Sequence, residues 1–172
     1  DLAVNVFPGP RPPWLREALL ASLDDVGRYP DASPAESALA VAHGRAPGEV
    51  VATAGAAEAF TLLARWRAWR RPVVVHPQFT EPHAALAAAG HAVHEVVLAP
   101  PFSLDAAAEA VPDDADLVVL GNPTNPTGVL HPASVVRALL RPGRVVVVDE
   151  AFMDTVPGEP ESLAGLGLPG VV

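Results

Sequence analysis

Arg144-Val-Val-Val-Val-Asp149-Glu-Ala-Phe152 sets four consecutive valines directly before an acidic pair. A short, wholly apolar, β-branched run of this kind suits a strand buried on both faces of a parallel sheet. A carboxylate at the carboxyl end of such a strand stands where open α/β sheets hold their ligands. A single acid there also suits the start of an ordinary surface turn. The second reading loses ground to what lies upstream. Leu117-Val-Val-Leu120 is another buried-type strand, and it empties into Asn122-Pro-Thr-Asn-Pro-Thr-Gly128. Two strands that deliver polar side chains to one edge of a sheet make a cofactor site.

Outward from this pair, the chain alternates strands with helices. Asp1 to Pro13 reads as an extended, proline-rich arm, and Pro13 suits the first turn of a helix running to about Asp25. A second helix is expected from Ser33, as cap, to about Gly44, and a third from Ala56 to about Arg70 after an extended piece, Val50–Gly55. Pro72–His76 is a strand; a helix over 83–89 stops at Gly90, and Ala92–Leu98 is strand-like. Ser103 is expected to cap a helix to about Ala110, and Pro132–Leu140 is helical. The alternation predicts an α/β fold with a mainly parallel sheet and helices on both faces.

Composition removes several function classes. The 172 residues carry 20 acids against 11 basic residues, a net charge of −9, which disfavours a role built on phosphate contacts to nucleic acid. Arg65 to Arg71, with Trp66 and Trp69 between, is read as the solvated end of a helix, where cations meet the negative dipole terminus. No apolar run approaches a bilayer span and no signal-like leader opens the sequence, so a cytoplasmic location is expected. Without cysteine there are no disulfides and no thiolate chemistry. All 11 basic residues are arginine; lysine is absent.

Further motifs sharpen the choice. Gly55-Ala-Ala-Glu58 opens a helix directly after a strand, Val50–Gly55, where first-turn N–H groups can receive an anion, although an ordinary strand-to-helix turn reads the same way. Phe79, past the end of a strand, is either core or a platform for a flat ring. His91 and His94 would point to opposite faces of a strand with no acid or cysteine to complete a set, and the six histidines are otherwise scattered, so no metal site is expected. A phosphate-loop NTPase needs Gly-rich sequence ending in Lys-Ser or Lys-Thr, and a dinucleotide fold needs G-x-G-x-x-G; both are missing. So is the Gly-x-Ser-x-Gly elbow of hydrolases.

The ordered series Tyr29-Pro-Asp, Gly55-Ala-Ala-Glu58, Phe79, Asn122-Pro-Thr-Asn-Pro-Thr-Gly128 and Asp149-Glu-Ala-Phe152 resembles the large domain of pyridoxal-phosphate enzymes with the aspartate-aminotransferase fold. The nearest branches are histidinol-phosphate aminotransferases and threonine-phosphate decarboxylases of cobalamin synthesis. The resemblance implies an arm and first helix over 1–32 and a partial domain for pyridoxal 5'-phosphate over 33–172. It implies that Asp149 pairs with the pyridine nitrogen, Asn125 donates to the phenolic oxygen and Phe79 stacks on the ring. Gly55, Ala56 and Ala57 would hold the phosphate through backbone N–H groups. Tyr29 would reach the phosphate in the neighbouring subunit of a homodimer, and Asn5 would approach a small phosphorylated amino-acid substrate.

Two departures qualify the resemblance. Phe152 stands where many relatives carry a tyrosine whose hydroxyl supports the phenolic oxygen. The family's Schiff-base lysine, in a Ser-x-x-Lys stretch beyond the next strand, is not in this chain, which ends at Gly170-Val-Val172. The expectation is therefore an amino-terminal portion of a longer enzyme, which alone has no turnover and binds pyridoxal phosphate weakly or not at all. Asp149-Glu-Ala-Phe-Met-Asp154 tilts the reading toward threonine-phosphate decarboxylase, with histidinol-phosphate transamination as the alternative. A truncated domain that acts by binding or dimerisation is the alternative of another class.

Overall fold

A computed structural model describes residues 9–105 and 108–172. Helix α1 (Pro13–Ala21) starts on proline, whose fixed φ suits the first turn, and runs into a 3-10 turn over Ser22–Asp25. Neither contributes a buried residue. In α2 (Ser33–Ala42) Ser33 is the first helical residue and not the cap. Its N–H donates to the Asp31 carboxylate at 3.0 Å, and its hydroxyl donates to the same oxygen. There follow α3 (Gly55–Trp66), β1 (Pro72–His76), α4 (Glu81–Ala88), β2 (His94–Val97), β3 (Leu117–Gly121), α5 (Ala133–Arg137) and β4 (Val145–Asp149).

All four strands are parallel, in the order β2-β1-β3-β4. Alternation along them sorts the core into two layers. Val73, Val75, Val118, Leu120 and Val146 pack on one face with Val136 and Leu139 at α5. Val74, Val119, Val145 and Val147 pack on the other with Phe60, Leu63 and Ala64 of α3 and Leu86 of α4. Helices thus cover both faces, as expected, and each fully buried valine contributes about 1.5–3 kcal/mol. The last residues run alongside β4: Val146 N–H donates to Gly170 at 2.7 Å, and Val148 N–H to Val172 at 2.9 Å.

Three local expectations are corrected. Val50–Gly55 lies outside the sheet, with Val51 exposed, since only burial would reward pairing there. Helix α3 ends at Trp66 and not near Arg70, because the chain turns to bury Trp69, whose indole donates to Leu63 O at 2.9 Å. The Arg67 guanidinium then stacks over Trp69, 4.1 Å from the ring centroid, so the arginine cluster is only partly a solvated helix end. Between Ser103 and Ala110 the described residues form only a 3-10 turn, Ala108–Ala110, and the Ser103 hydroxyl turns to Asp105.

Two buried polar anchors fix the amino ends of the strands. The Asp116 carboxylate accepts the N–H groups of Arg70 and Arg71 at 2.8 and 3.0 Å. The Arg144 guanidinium, only 5% exposed, donates to the carbonyls of Ala115, Leu139, Pro112 and Asp113 at 2.7–3.1 Å. Burial pushes its pKa below the ordinary arginine value, with neighbouring Arg141 adding to the shift and Asp113 and Asp114 opposing it.

Candidate functional site

The seam between β1 and β3 opens at the carboxyl edge of the sheet. These strands pair only as far as Val74↔Val119, whereas β1 stays with β2 to His76↔Val97 and β3 with β4 to Gly121↔Asp149. The same seam is where the strand order reverses, since the chain leaves β1 for β2 on one side and returns to β3 on the other. Such a switch point is where doubly wound sheets bind ligands. Gln78 props the opening: its amide donates to the Val119 carbonyl at 3.0 Å. Its own buried Oε1 has no partner among the described residues.

Beside this opening lies a cavity of about 160 Å³, lined by Ala56, Phe79, Gly121, Asn125, Asp149 and Phe152 among others. Strand parity explains the convergence. Asp149 follows Val145 and Val147 onto the face covered by α3, and Gly121 follows Leu117 and Val119 onto it too. Glycine at 121 leaves the floor of the cavity without a side chain. A much larger groove, about 850 Å³, lies between α3, residues 43–53 and the end of the chain. It is largely apolar and includes none of Phe79, Asn125 and Asp149, which converge on the smaller cavity instead.

Asp149 is half-buried, and one of its carboxylate oxygens accepts the Ala151 N–H at 3.1 Å. Glu150 beside it is turned away into structure, accepting the Ser162 hydroxyl at 2.6 Å and the Leu163 N–H at 2.7 Å. Across the cavity, Asn125 rides on a loop built for rigidity. The fully buried Asn122 clasps His131 through both ends of its amide, accepting its N–H at 2.8 Å and donating to its carbonyl at 3.1 Å. Thr124 donates its hydroxyl to Gly121 O at 2.8 Å and lies 3.2 Å from His131 Nε2. Gly128, at φ +71°, lets the loop reverse and donates to Thr124 O at 2.6 Å. Burial holds the His131 pKa below the ordinary histidine value, and Asp105 opposes this only in part.

The third wall is the start of α3. Gly55 sits at φ +72° and gives its N–H to Thr53 O at 2.7 Å. Ala54 N–H is taken by the Glu58 carboxylate. The N–H groups of Ala56 and Ala57 then have no acceptor within the helix, and the positive dipole end adds to their pull on an anion. A carboxylate, an amide, an aromatic face and a helix opening around one slot suit a flat heteroaromatic ring with a basic nitrogen on one edge, an oxygen on another and a phosphate.

Of the residues expected at the site, Ala56, Phe79, Asn125 and Asp149 line the cavity together, and Gly55 and Ala57 flank Ala56 at the helix opening. Tyr29 is fully exposed and does not line it, and Asn5 lies outside the described residues. Sequence reasoning did not single out Asn122 and His131 as the clasp that positions Asn125; an asparagine directly after a buried strand was the available signal. His91 is not on a strand: β2 begins at His94, and His91 Nε2 lies 2.8 Å from the Ala64 carbonyl.

Comparison with known proteins bears on the family and the fold. The family model for aminotransferase class I and II matches residues 1–169. A histidinol-phosphate aminotransferase of Mycobacterium tuberculosis is 54% identical over 175 residues, covering 100% of this chain and 47% of the relative. The threonine-phosphate decarboxylase of Salmonella typhimurium is 33% identical, covering 92% of this chain and 46% of that protein. Histidinol-phosphate aminotransferase from Sinorhizobium meliloti, solved in complex with pyridoxal-5'-phosphate, superposes with a TM-score of 0.80 at 25% identity. That match covers 95% of this chain and 47% of the structure. The chain spans about half the length of the curated relatives it matches. Among the described residues no helix is long and apolar enough to cross a membrane.

Proposed function

Because the chain belongs to the class I and II aminotransferase family, we propose that it is the cofactor-holding part of a pyridoxal-phosphate-dependent, histidinol-phosphate-type aminotransferase. The observation that carries this is the meeting of Asp149, Asn125, Phe79 and Ala56 around one cavity at the switch point. When bound, the cofactor supplies an electron-accepting ring that stabilises charge at a substrate α-carbon.

The chain's own residues bind and orient that ring. Asp149 holds a proton on the pyridine nitrogen through a charge-assisted hydrogen bond, keeping the ring electron-poor. Asn125 donates to the phenolic oxygen, and Phe79 covers one face and excludes water. The N–H groups of Ala56 and Ala57 receive the phosphate, with Gly55 allowing its close approach. Tyr29, fully exposed on this chain, serves the neighbouring subunit of a homodimer. Phe152 lines the cavity but brings no hydroxyl, so Asn125 bears the contact to the phenolic oxygen without its help.

Transamination is favoured over decarboxylation by the 54% identity to a histidinol-phosphate aminotransferase against 33% to a threonine-phosphate decarboxylase. The shared Asp149-to-Asp154 wording keeps decarboxylation as the second reading. With no lysine among its 172 residues, the chain by itself lacks the amine that anchors the cofactor and moves protons, and has no turnover.

The test has two parts. Equilibrium dialysis of pyridoxal phosphate against the chain, which lacks the anchoring lysine, should show weak saturable binding that Asp149→Ala weakens further. The full-length polypeptide carrying this sequence should convert histidinol phosphate and a 2-oxo acid to the carbonyl compound left by histidinol phosphate and the 2-amino acid that receives its amino group. Release of carbon dioxide from threonine phosphate would instead select the second reading. Catalysis by the lysine-free chain alone would overturn the assignment of roles.

A further inference from the structure

We propose that His76, His83 and Glu95 form a binding site for one divalent transition metal of the zinc class, separate from the cofactor cavity. One ligand atom from each lies within 4.8 Å of both others. His76 Nε2 and His83 Nδ1 face each other at 3.2 Å, with ring centroids 5.4 Å apart and planes tilted by 45°. Zinc sits about 2.0–2.1 Å from imidazole nitrogen in a tetrahedral shell, which spaces two such ligands by roughly 3.3 Å. The pair therefore already stands at the separation that a shared ion requires.

The fold brings the three together from distant parts of the chain. His76 ends β1, Glu95 lies on the edge strand β2, and His83 lies in the first turn of α4. The register pairs Val74 with Glu95 and His76 with Val97. Parity therefore turns His76 and Glu95 to the same face as Val74, the face that α4 covers. Both histidines are half-buried and Glu95 is exposed, so the site has an apolar wall and an open mouth. Two imidazoles and a carboxylate are a donor set suited to zinc, with water completing four-coordination. Without an ion the two ring nitrogens can approach this closely only by sharing a proton between them.

Such an ion would tie α4 to both strands at the edge of the sheet, just before the Pro77-Gln78-Phe79 segment. This inference stands on its own geometry and does not depend on the cofactor reading.

The experiment is a calorimetric titration of the purified protein with Zn(II), paired with Co(II) as a visible-absorption probe. One equivalent per chain is expected, with a rise in the thermal midpoint. Loss of an outer-shell partner alone costs about 10–100-fold in metal affinity, so Glu95→Gln should weaken binding by at least about tenfold. His83→Gln should abolish the single-equivalent isotherm. The metal-free midpoints of both variants are measured alongside, and Glu95→Gln, altered at an exposed position, keeps the test meaningful if His83→Gln folds poorly. No saturable binding would overturn the proposal. So would binding that survives both substitutions, which would assign the ion to the other histidines.

Discussion

The N–H of Asn122 donates to the carbonyl of Asp149 at 2.8 Å, so the two loops that leave β3 and β4 are joined by backbone at the moment they diverge. The acid and the start of the loop that carries Asn125 are therefore placed by the sheet ladder, and the Asn122 clasp on His131 holds the rest of that loop. This relationship makes Asp149 separable from stability. Its side chain is half-buried, and among the described residues its hydrogen bond is to the Ala151 N–H.

Asp149→Ala should thus cost little stability and much affinity. A hydrogen bond between charged partners contributes about 1.5–3 kcal/mol. Its loss corresponds to roughly 10–100-fold weaker pyridoxal phosphate binding. Equilibrium dialysis measures the affinity, and a thermal melt without cofactor should show a nearly unchanged midpoint.

Ala56→Asp should move stability and binding in opposite directions. An acid in the first turn of α3 favours the positive end of the helix dipole by about 0.3–1 kcal/mol. The same carboxylate repels an incoming phosphate from the N–H groups it must reach. The expected result is an equal or higher melting midpoint together with weaker binding of pyridoxal phosphate. Unimpaired binding would place the phosphate elsewhere.

The strands were legible because β-branched runs bounded by proline and glycine, Pro72–His76 and Val145–Asp149 among them, need no tertiary information to declare themselves. The four cavity residues were legible through motif order. What sequence could not show is set by long-range contacts. Trp69 is drawn into the core and ends α3 early, and Val50–Gly55 has strand-like residues but no neighbour to pair with. Asp31 supersedes Ser33 at the start of α2 because a carboxylate two residues back reaches its N–H. The His76, His83 and Glu95 cluster was hidden for a related reason: its spacing has meaning only once β1, β2 and α4 are packed.

Arg144→Ala should be among the most destabilising single changes. The guanidinium is buried and gathers four carbonyls from the residues around Pro112 and from Leu139, so truncation strands those acceptors and leaves a void. Unsatisfied buried groups cost about 1–3 kcal/mol each, so a loss of about 3 kcal/mol or more is expected in urea unfolding. Arg141→Ala, whose exposed side chain bonds among the described residues to the carbonyls of Ala138 and Leu140, should cost far less.

Acidification should destabilise the protein through His131, which is buried, and His76, which is half-buried. Burial lowers the pKa of His131, with Asp105 opposing, and burial is also the main cause of the lowered pKa of His76. In the unfolded chain both regain an ordinary value near about 6.5. Below that pH the unfolded state therefore binds more protons than the folded one, and stability falls as pH falls; above it the full stability is present. Each histidine can contribute a slope of up to about 1.4 kcal/mol per pH unit until its folded form also titrates. Urea midpoints between pH 7.5 and 5.5, taken with a chelator present so that no metal holds His76 neutral, should show this decline. His131→Gln lowers stability at every pH by breaking the contact with Thr124, so the comparison is of slopes. A shallower slope in the variant is expected. An unchanged slope would mean that His131 charges as easily inside the loop as in water, so that burial is not what holds its ring neutral.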